Sequence, residues 1–314
     1  MAGPLRVERD VEVARWVQEA LHDLDGTVAS VVPPVFDAYA RILHPATLST
    51  PVAGAAPDEW GQLPLEDREL TWAEAATLIG DRLGERQPHT AWLSRFGERG
   101  HDLPDGGRML DGHTLPKGGQ IHEPHAGDVP LPLLSPLTEL LLDEHGDAEV
   151  LAAVWEGSGL DPSGSAAFFF WPDDGLTSAE RAQREAEAEA EARVARLASV
   201  DPEIRAAMER GDGLGLPRDG QGRDHVLLRG RLSALRDPRW VETAGLGWRQ
   251  DWPDPGRTPN LLWPAAPHAT PAWMVATDLD LDVTLVGGSG HFIGRVLGHP
   301  SLEAERVRPG DPLV

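Results

Sequence analysis

Cysteine is absent from this chain of 314 residues. Its absence excludes disulfide bonds, thiolate nucleophiles, cysteine-ligated zinc and iron–sulfur clusters. Long apolar runs are absent too, because no window of the sequence reaches the roughly 18 apolar residues of a membrane-spanning helix. The N-terminal residues lack the basic region and the continuous apolar run of a secretory signal peptide. We therefore expect a cytoplasmic protein.

Positive charge is scarce in the sequence. The chain has 28 Lys and Arg against 51 Asp and Glu, which gives a net charge of −23. Nucleic acids and anionic lipids are bound by cationic side chains that release counterions, so this charge argues against nucleic acid and membrane surfaces as partners. It fits a basic protein partner, and it equally fits a requirement for solubility alone.

Glycine and proline are abundant, with 34 Gly and 28 Pro, and they predict many loops and short elements. A chain of this length buries enough surface to form a core without a disulfide or a metal. We therefore expect a globular protein that needs no bound cofactor for its stability.

Two capping boxes mark the clearest helix starts. Thr71 with Glu74, and Thr177 with Glu180, have the T-x-x-E spacing in which each side chain satisfies a backbone N–H of the other residue. These pairs predict helices that begin just after each threonine.

The second box opens a segment of biased composition. Residues 178–198 are rich in alanine and glutamate and have few apolar side chains to bury, so they predict a long, mostly solvated helix. A shorter helix begins after Asp201 and ends near Gly211. We interpret residues 176–211 as a peripheral helical insertion.

Hydrophobic spacing assigns the other elements. Apolar residues three or four apart predict helices over 7–24 and 36–43, and a β-branched run predicts a strand over 27–32. Short apolar runs bounded by turn formers predict buried strands over 149–155 and 166–171.

The strongest strand signal lies near the C-terminus. Residues 270–290 alternate apolar and polar side chains, and residues 290–297 then return to helical spacing. Residues 225–228 predict a further strand. The order of these elements predicts an α+β fold, with a mixed sheet and flanking helices.

Three aspartates follow one another at intervals of two residues within that strand signal. On a strand, Asp278, Asp280 and Asp282 project from one face, where they suit a divalent cation or acid/base chemistry. An EF-hand loop is excluded, because Val283 stands at its glycine position and Ser289 at its glutamate position. The solvated face of a half-buried strand explains the same pattern.

A glycine-rich turn joins the predicted strand to the predicted helix. Gly287, Gly288, Ser289 and Gly290 precede a helix N-terminus, where backbone N–H groups are able to bind an anion. The segment has neither the G-x-G-x-x-G pattern nor the lysine of a P-loop. Ser289 is equally suited to be an ordinary helix cap.

Histidines and carboxylates cluster in a loop-like stretch over about residues 86–132. Both are ligands for zinc and other transition metals. The H-E-P-H segment differs from the helical H-E-x-x-H motif, and a hydrophilic loop that carries histidines explains the cluster as well. The residues concerned are His101, Asp102, Asp111, His113, His122, Glu123, His125 and Asp128.

Tryptophan outnumbers the other aromatic residues, with 11 Trp against 6 Phe and 1 Tyr. Exposed tryptophans bind sugars, bases or proline-rich peptides by stacking, whereas buried ones fill a core. Trp16, Trp72 and Trp155 fall in predicted elements and favour the core. Four tryptophans lie in or beside a proline-rich segment and are compatible with both interpretations, namely Trp248, Trp252, Trp263 and Trp273.

Two segments of the chain resemble a family of bacterial proteins to which no activity is attached. Residues 39–46 (Y-A-R-I-L-H-P-A) match its Y-A-R-x-x-H-P-A segment, and residues 273–289 match its W-x-V-A-T-E-I-D…G-G-S segment. Asp278 stands where the family has glutamate. The resemblance implies one continuous module in which the two segments share a core, and it implies no reaction.

These observations predict one globular α+β unit over residues 1–314. The functional prediction is a non-catalytic binding protein that engages a basic protein partner through an acidic surface. The alternatives are a metal-assisted hydrolase that uses the aspartate row or the His101–His125 loop, and a metal-free acid/base enzyme. We predict a binding surface near Trp263, Trp273, Asp278, Asp280, Gly287, Gly288 and Ser289.

Overall fold

The computed structural model describes residues 4–21, 26–56, 63–79, 100–102, 108–110, 113–115, 119–157, 160, 177–216, 223–247, 258–265 and 271–313. Its strands are β1 (Leu5–Val7), β2 (Ala38–Leu43), β3 (Ala46–Pro51), β4 (Leu65–Leu70), β5 (Gly100–Asp102), β6 (Arg108–Leu110), β7 (His113–Thr114), β8 (Gln120–His122), β9 (Glu149–Trp155), β10 (Leu214–Leu216), β11 (Arg223–Arg231), β12 (Leu261–Pro264), β13 (Met274–Ala276), β14 (Val283–Gly288) and β15 (Ala304–Val307). Its helices are α1 (Arg15–Ala20), α2 (Trp72–Ile79), α3 (Leu131–His145), α4 (Ser178–Ser199), α5 (Pro202–Arg210), α6 (Trp240–Thr243) and α7 (Gly290–Leu297). The antiparallel sheets and the helices confirm the predicted α+β class.

The chain divides into two compact units, and each is assembled from two separate stretches of sequence. The first unit contains residues 1–24 and 134–274, and the second contains residues 25–133 and 275–314. The sequence was expected to form one globular unit over 1–314, and that expectation stays a prediction.

In the first unit, β9 and β11 form the centre of an antiparallel sheet. They pair from His225 opposite Trp155 to Arg231 opposite Glu149. Both β1 and β10 pair with β11, and β12 pairs with β9. The helix α5 contacts β1 and β11 and buries its apolar side chains there. A continuous apolar run is typical of strands that are buried in this way, and β9 was predicted at its observed bounds.

In the second unit, β2 lies between β14 and β15 and is antiparallel to both. The helix α7 contacts all three strands and buries Phe292, Ile293 and Val296. A separate four-stranded sheet has the order β4-β3-β8-β7, and β5 pairs with β6. The chain leaves β2 and enters β3 within three residues, so β2 connects the two sheets of this unit.

Both predicted capping boxes are confirmed. At the start of α2, the N–H of Thr71 donates to Glu74 Oε2 at 2.9 Å, and the N–H of Glu74 donates to Thr71 Oγ1 at 3.1 Å. Thr177 and Glu180 make the same two bonds at the start of α4. The helix α5 ends at Gly211, whose φ of 69° places it in the left-handed region that favours glycine.

Two predictions near the N-terminus are wrong. Residues 36–43 were expected to be a helix and instead contain β2, whose six residues are all buried. A strand buried on both sides has a continuous apolar sequence, which also fits helical spacing. Residues 27–32 were expected to be a strand and instead contain a short 3-10 turn, Val28–Ser30.

The predicted helix over residues 7–24 is shorter in the structure. The chain there forms β1, a 3-10 turn and then α1, which ends at Ala20. The strand predicted over 166–171 lies outside the described residues. In the part of the chain that the structure describes, no helix has both the length and the apolar character needed to cross a membrane.

Candidate functional site

Residues 39–46 and residues 275–289, which contain most of the two segments compared with the bacterial family, meet in the second unit. β2 and β14 pair from Ala38 opposite Gly288 to Leu43 opposite Val283. Their side chains belong to the same buried core, which confirms the prediction that the two segments share one.

His44 directly follows β2 and is fully buried. Its Nδ1 lies 2.7 Å from the carbonyl oxygen of His125, and its Nε2 lies 2.8 Å from the hydroxyl of Thr284. A carbonyl only accepts, so Nδ1 carries the proton and Nε2 accepts from Thr284. Burial lowers the pKa of His44 from 6.5 to about 4. Both ring nitrogens of this neutral histidine are thereby used within the fold.

Arg41 lies at the centre of β2 with only 1% of its side chain exposed. Its Nη1 donates to Glu305 Oε1 at 3.2 Å, and its Nη2 donates to the carbonyl oxygen of Pro312. Burial lowers the pKa of Arg41, and the carboxylates of Glu305, Asp311 and Asp282 act in the opposite direction. The guanidinium therefore ties the C-terminal residues to the central strand.

The aspartate row does not form the face of a strand. Residues 279 and 280 form a turn between β13 and β14, and the N–H of Leu281 donates to the carbonyl oxygen of Asp278 at 2.9 Å. Asp278 is half-buried, Asp280 is exposed and Asp282 is buried. The predicted shared face is therefore wrong, because a turn breaks the alternation on which it depended.

The glycine-rich turn has a packing role. Gly287 lies opposite Tyr39, and a Cβ at this position would come within 2.4 Å of the Phe36 ring. Ser289 caps α7 by accepting the N–H of Phe292 at 3.1 Å. The interpretation of Ser289 as a helix cap is confirmed, and the binding role predicted for Gly287, Gly288 and Ser289 stays a prediction.

The two tryptophans of the predicted binding surface belong to the first unit, whereas its other five residues belong to the second. Trp263 and Trp273 are fully buried. Trp263 meets Trp16 edge to face at 6.2 Å, and Trp273 stacks on the ring of His145 at 6.1 Å. The interpretation of these two residues as an exposed stacking platform is therefore wrong. Trp248 and Trp252 lie outside the described residues.

The histidine-rich stretch contains short strands instead of one long loop. His101 lies in β5, His113 in β7 and His122 in β8, while Asp111 falls outside the described residues. Across the described ranges, no group of three or more His, Asp or Glu side chains is arranged to hold a metal ion. The described residues thus offer no geometry that favours the metal-assisted hydrolase over the other interpretations.

An acidic strand that the sequence did not predict lies in the second unit. β4 forms one end of the four-stranded sheet, and its residues from Leu65 to Glu69 are all exposed. Three of these residues are acidic, namely Glu66, Asp67 and Glu69. Charged residues disfavour strands on intrinsic grounds, which is why the segment gave no strand signal. The alternation that usually marks a half-buried strand is also missing, because both faces are exposed.

No family model, curated protein or solved structure matches this chain, so the resemblance of its two segments to the bacterial family stays a prediction.

Proposed function

We propose that this chain is a non-catalytic cytoplasmic binding protein that engages a basic protein partner through its acidic surface. The observation that carries this proposal is the charge imbalance. If every Lys and Arg neutralised one carboxylate, 23 carboxylates would still have no cationic partner within the chain. A surface of this kind accelerates association with a partner of opposite charge and disfavours acidic partners.

Several arginines among the described residues are paired with neighbouring carboxylates. Arg15 contacts two glutamates, and Arg229 contacts Glu8 and Glu149. Each such pair neutralises one cation together with a carboxylate, so the carboxylates in excess keep their negative charge. This distribution supports a partner that supplies the missing positive charge.

Two titratable residues at one end of the β2–β14 pair have structural uses, and these uses support binding over a reaction. His44 uses both ring nitrogens in the core, and Asp282 is buried beside Arg41. A general base must reach a substrate proton within hydrogen-bonding distance, and a fully buried imidazole has no such access.

Affinity capture followed by measurement with purified components tests the proposal. Proteins retained on the 314-residue chain at low salt are identified by mass spectrometry and purified, and their affinity is measured by calorimetry over a series of salt concentrations. We expect a basic partner whose affinity falls steeply as salt rises, because exposed charges are screened.

Two outcomes would overturn the proposal. One is the absence of any partner whose purified form binds at low salt. The other is a stoichiometric divalent metal, detected by elemental analysis, that is lost when Asp278 and Asp280 are changed to Asn. The second result would favour the metal-assisted hydrolase instead.

A further inference from the structure

One backbone hydrogen bond shows which residues of β3 and β4 bond to each other across the pair. The N–H of Val52 donates to the carbonyl oxygen of Pro64 at 2.9 Å. In an antiparallel pair, hydrogen-bonded positions alternate with positions that do not bond across the pair. Thr50 and Glu66 are the next opposed residues in phase with this bond. Glu66 and Arg68 therefore direct their backbone N–H and C=O groups toward β3.

The alternate residues of β4 direct their backbone groups away from the sheet. Leu65, Asp67 and Glu69 occupy these positions, so their N–H and C=O groups face the open side of the strand. Among the strands that the structure describes, only β3 pairs with β4. All three residues are exposed, and Leu65 exposes 58% of its surface. The row of donors and acceptors is a template for one more strand.

The side chains of β4 determine which strand would fit. Glu66, Asp67 and Glu69 are accompanied by one cation, Arg68, which is held by Glu74 at 3.2 Å. Side chains directly opposite each other on paired strands lie about 5 Å apart, and opposite charges stabilise such pairs. A docked strand that carries lysine or arginine would therefore be favoured on this edge.

A second copy of this chain does not suit the open edge of β4. Two β4 strands paired edge to edge would bring the carboxylates of one copy close to those of the other. Like charges on opposed strands destabilise the pair. The charge of the edge thus distinguishes a basic partner from self-association.

We propose that the free edge of β4 receives an extended basic segment of a partner protein as an additional strand. This inference rests on the proposed function, since it names the surface and the kind of segment through which the acidic protein binds. Backbone hydrogen bonds supply the affinity in this mode, and the side chains of the docked strand supply the specificity. Charged residues on edge strands also prevent aggregation, and the experiment separates that role from docking.

The first arm uses a fluorescent peptide of about six residues, the length of a typical strand, that alternates lysine with valine. Its control has the same sequence and charge but carries N-methyl groups on the backbone nitrogens that would face β4. We expect the 314-residue chain to bind the control about tenfold more weakly in fluorescence anisotropy, because the control cannot donate to the edge. Equal binding of the two peptides, or no binding of either at low salt, would overturn the inference.

The second arm of the experiment changes residues of β4 in the protein. Leu65→Pro leaves every charge in place, and Glu69→Pro removes one outward N–H together with a carboxylate. Proline is tolerated at these positions because their N–H groups do not donate to β3. Glu69→Gln is the matched control, since it removes the charge and keeps the N–H. We expect both proline variants to weaken peptide binding about tenfold and the control to weaken it much less.

Circular dichroism establishes that each variant is folded, and the N-methylated peptide decides the question on the unaltered protein if a proline variant does not fold. Proline variants that bind as tightly as Glu69→Gln would overturn the docking mode. The captured partner separates the two proposals. If it still binds the folded Leu65→Pro variant with full affinity and full salt dependence, the acidic-surface proposal survives and the β4 inference fails.

Discussion

The strands β2 and β4 have equal length and belong to the same unit, yet their environments are opposite. All six residues of β2 are buried, whereas five of the six residues of β4 are exposed. Each strand carries one arginine that lies 3.2 Å from a carboxylate, Arg41 from Glu305 and Arg68 from Glu74. The two N–O distances are the same, so the pairs differ in their burial and in the further bond that Arg41 donates to the Pro312 carbonyl.

Replacing the arginine of each strand should produce the largest difference in the free energy of unfolding between a variant of β2 and a variant of β4. Arg41→Ala leaves Glu305 without its cation and the Pro312 carbonyl without its donor, and we expect it to lower the free energy of unfolding by about 3–5 kcal/mol. Arg68→Ala removes an exposed pair and should cost less than about 1 kcal/mol. Urea unfolding of both variants measures the difference. Equal costs would mean that burial does not set the value of these pairs.

His44, which follows the end of β2, should make the free energy of unfolding depend on pH. The pKa of His44 is about 4 in the folded chain and 6.5 as an ordinary histidine, so the unfolded chain binds one more proton between these values. The contribution of the neutral imidazole is fully present above pH 6.5 and is lost as pH falls toward 4. The slope is about 1.4 kcal/mol per pH unit, and the total is about 3 kcal/mol.

A His44→Gln variant provides the control for this pH dependence. Glutamine does not titrate, so the free energy of unfolding of the variant should fall less steeply between these pH values than that of the unaltered protein. Urea unfolding measured across the window gives both slopes. Identical slopes would show that His44 does not carry the effect.

The packing against β2 should tolerate an added methyl group less well than the exposed face of α7, where Gly294 lies. Gly287→Ala in β14 places a methyl group within 2.4 Å of Phe36, and we expect a loss of about 1–3 kcal/mol from overpacking. In α7, a Cβ at Gly294 meets nothing within 4 Å, so Gly294→Ala should stabilise the protein by about 0.5–1 kcal/mol. Thermal unfolding distinguishes the two directions. A neutral Gly287→Ala would mean that the Phe36 ring moves aside freely.

Local signals were sufficient for part of the fold. The capping boxes at Thr71 and Thr177, the bounds of β9 and the cap of α7 at Ser289 all follow from residues that lie within a few positions of one another. Local signals did not predict the strand β2, because its apolar sequence fits a helix and a buried strand equally well. Its neighbours β14 and β15 lie more than 200 residues away in the sequence and decide between the two.

The candidate site was predictable only in outline. The sequence indicated an acidic binding protein and drew attention to the aspartates near β14, but a turn separates those aspartates. The exposed edge of β4 gave no signal, because an edge is defined by which strand lies beside it. For Trp263 and Trp273 the sequence left a stacking platform and a core position open, because an aromatic side chain has the same sequence signature in both roles, and the structure places both residues in the core.

The sequence by itself determined the charge, the absence of thiol chemistry, the helix caps and the α+β class. Each of these depends on composition or on bonds that close within one turn of the chain. Only the tertiary structure decided that Arg41 is buried beside Glu305 while Arg68 remains at the surface, and that β4 ends its sheet. Those properties depend on which distant segments exclude water from a residue, and composition does not contain that information.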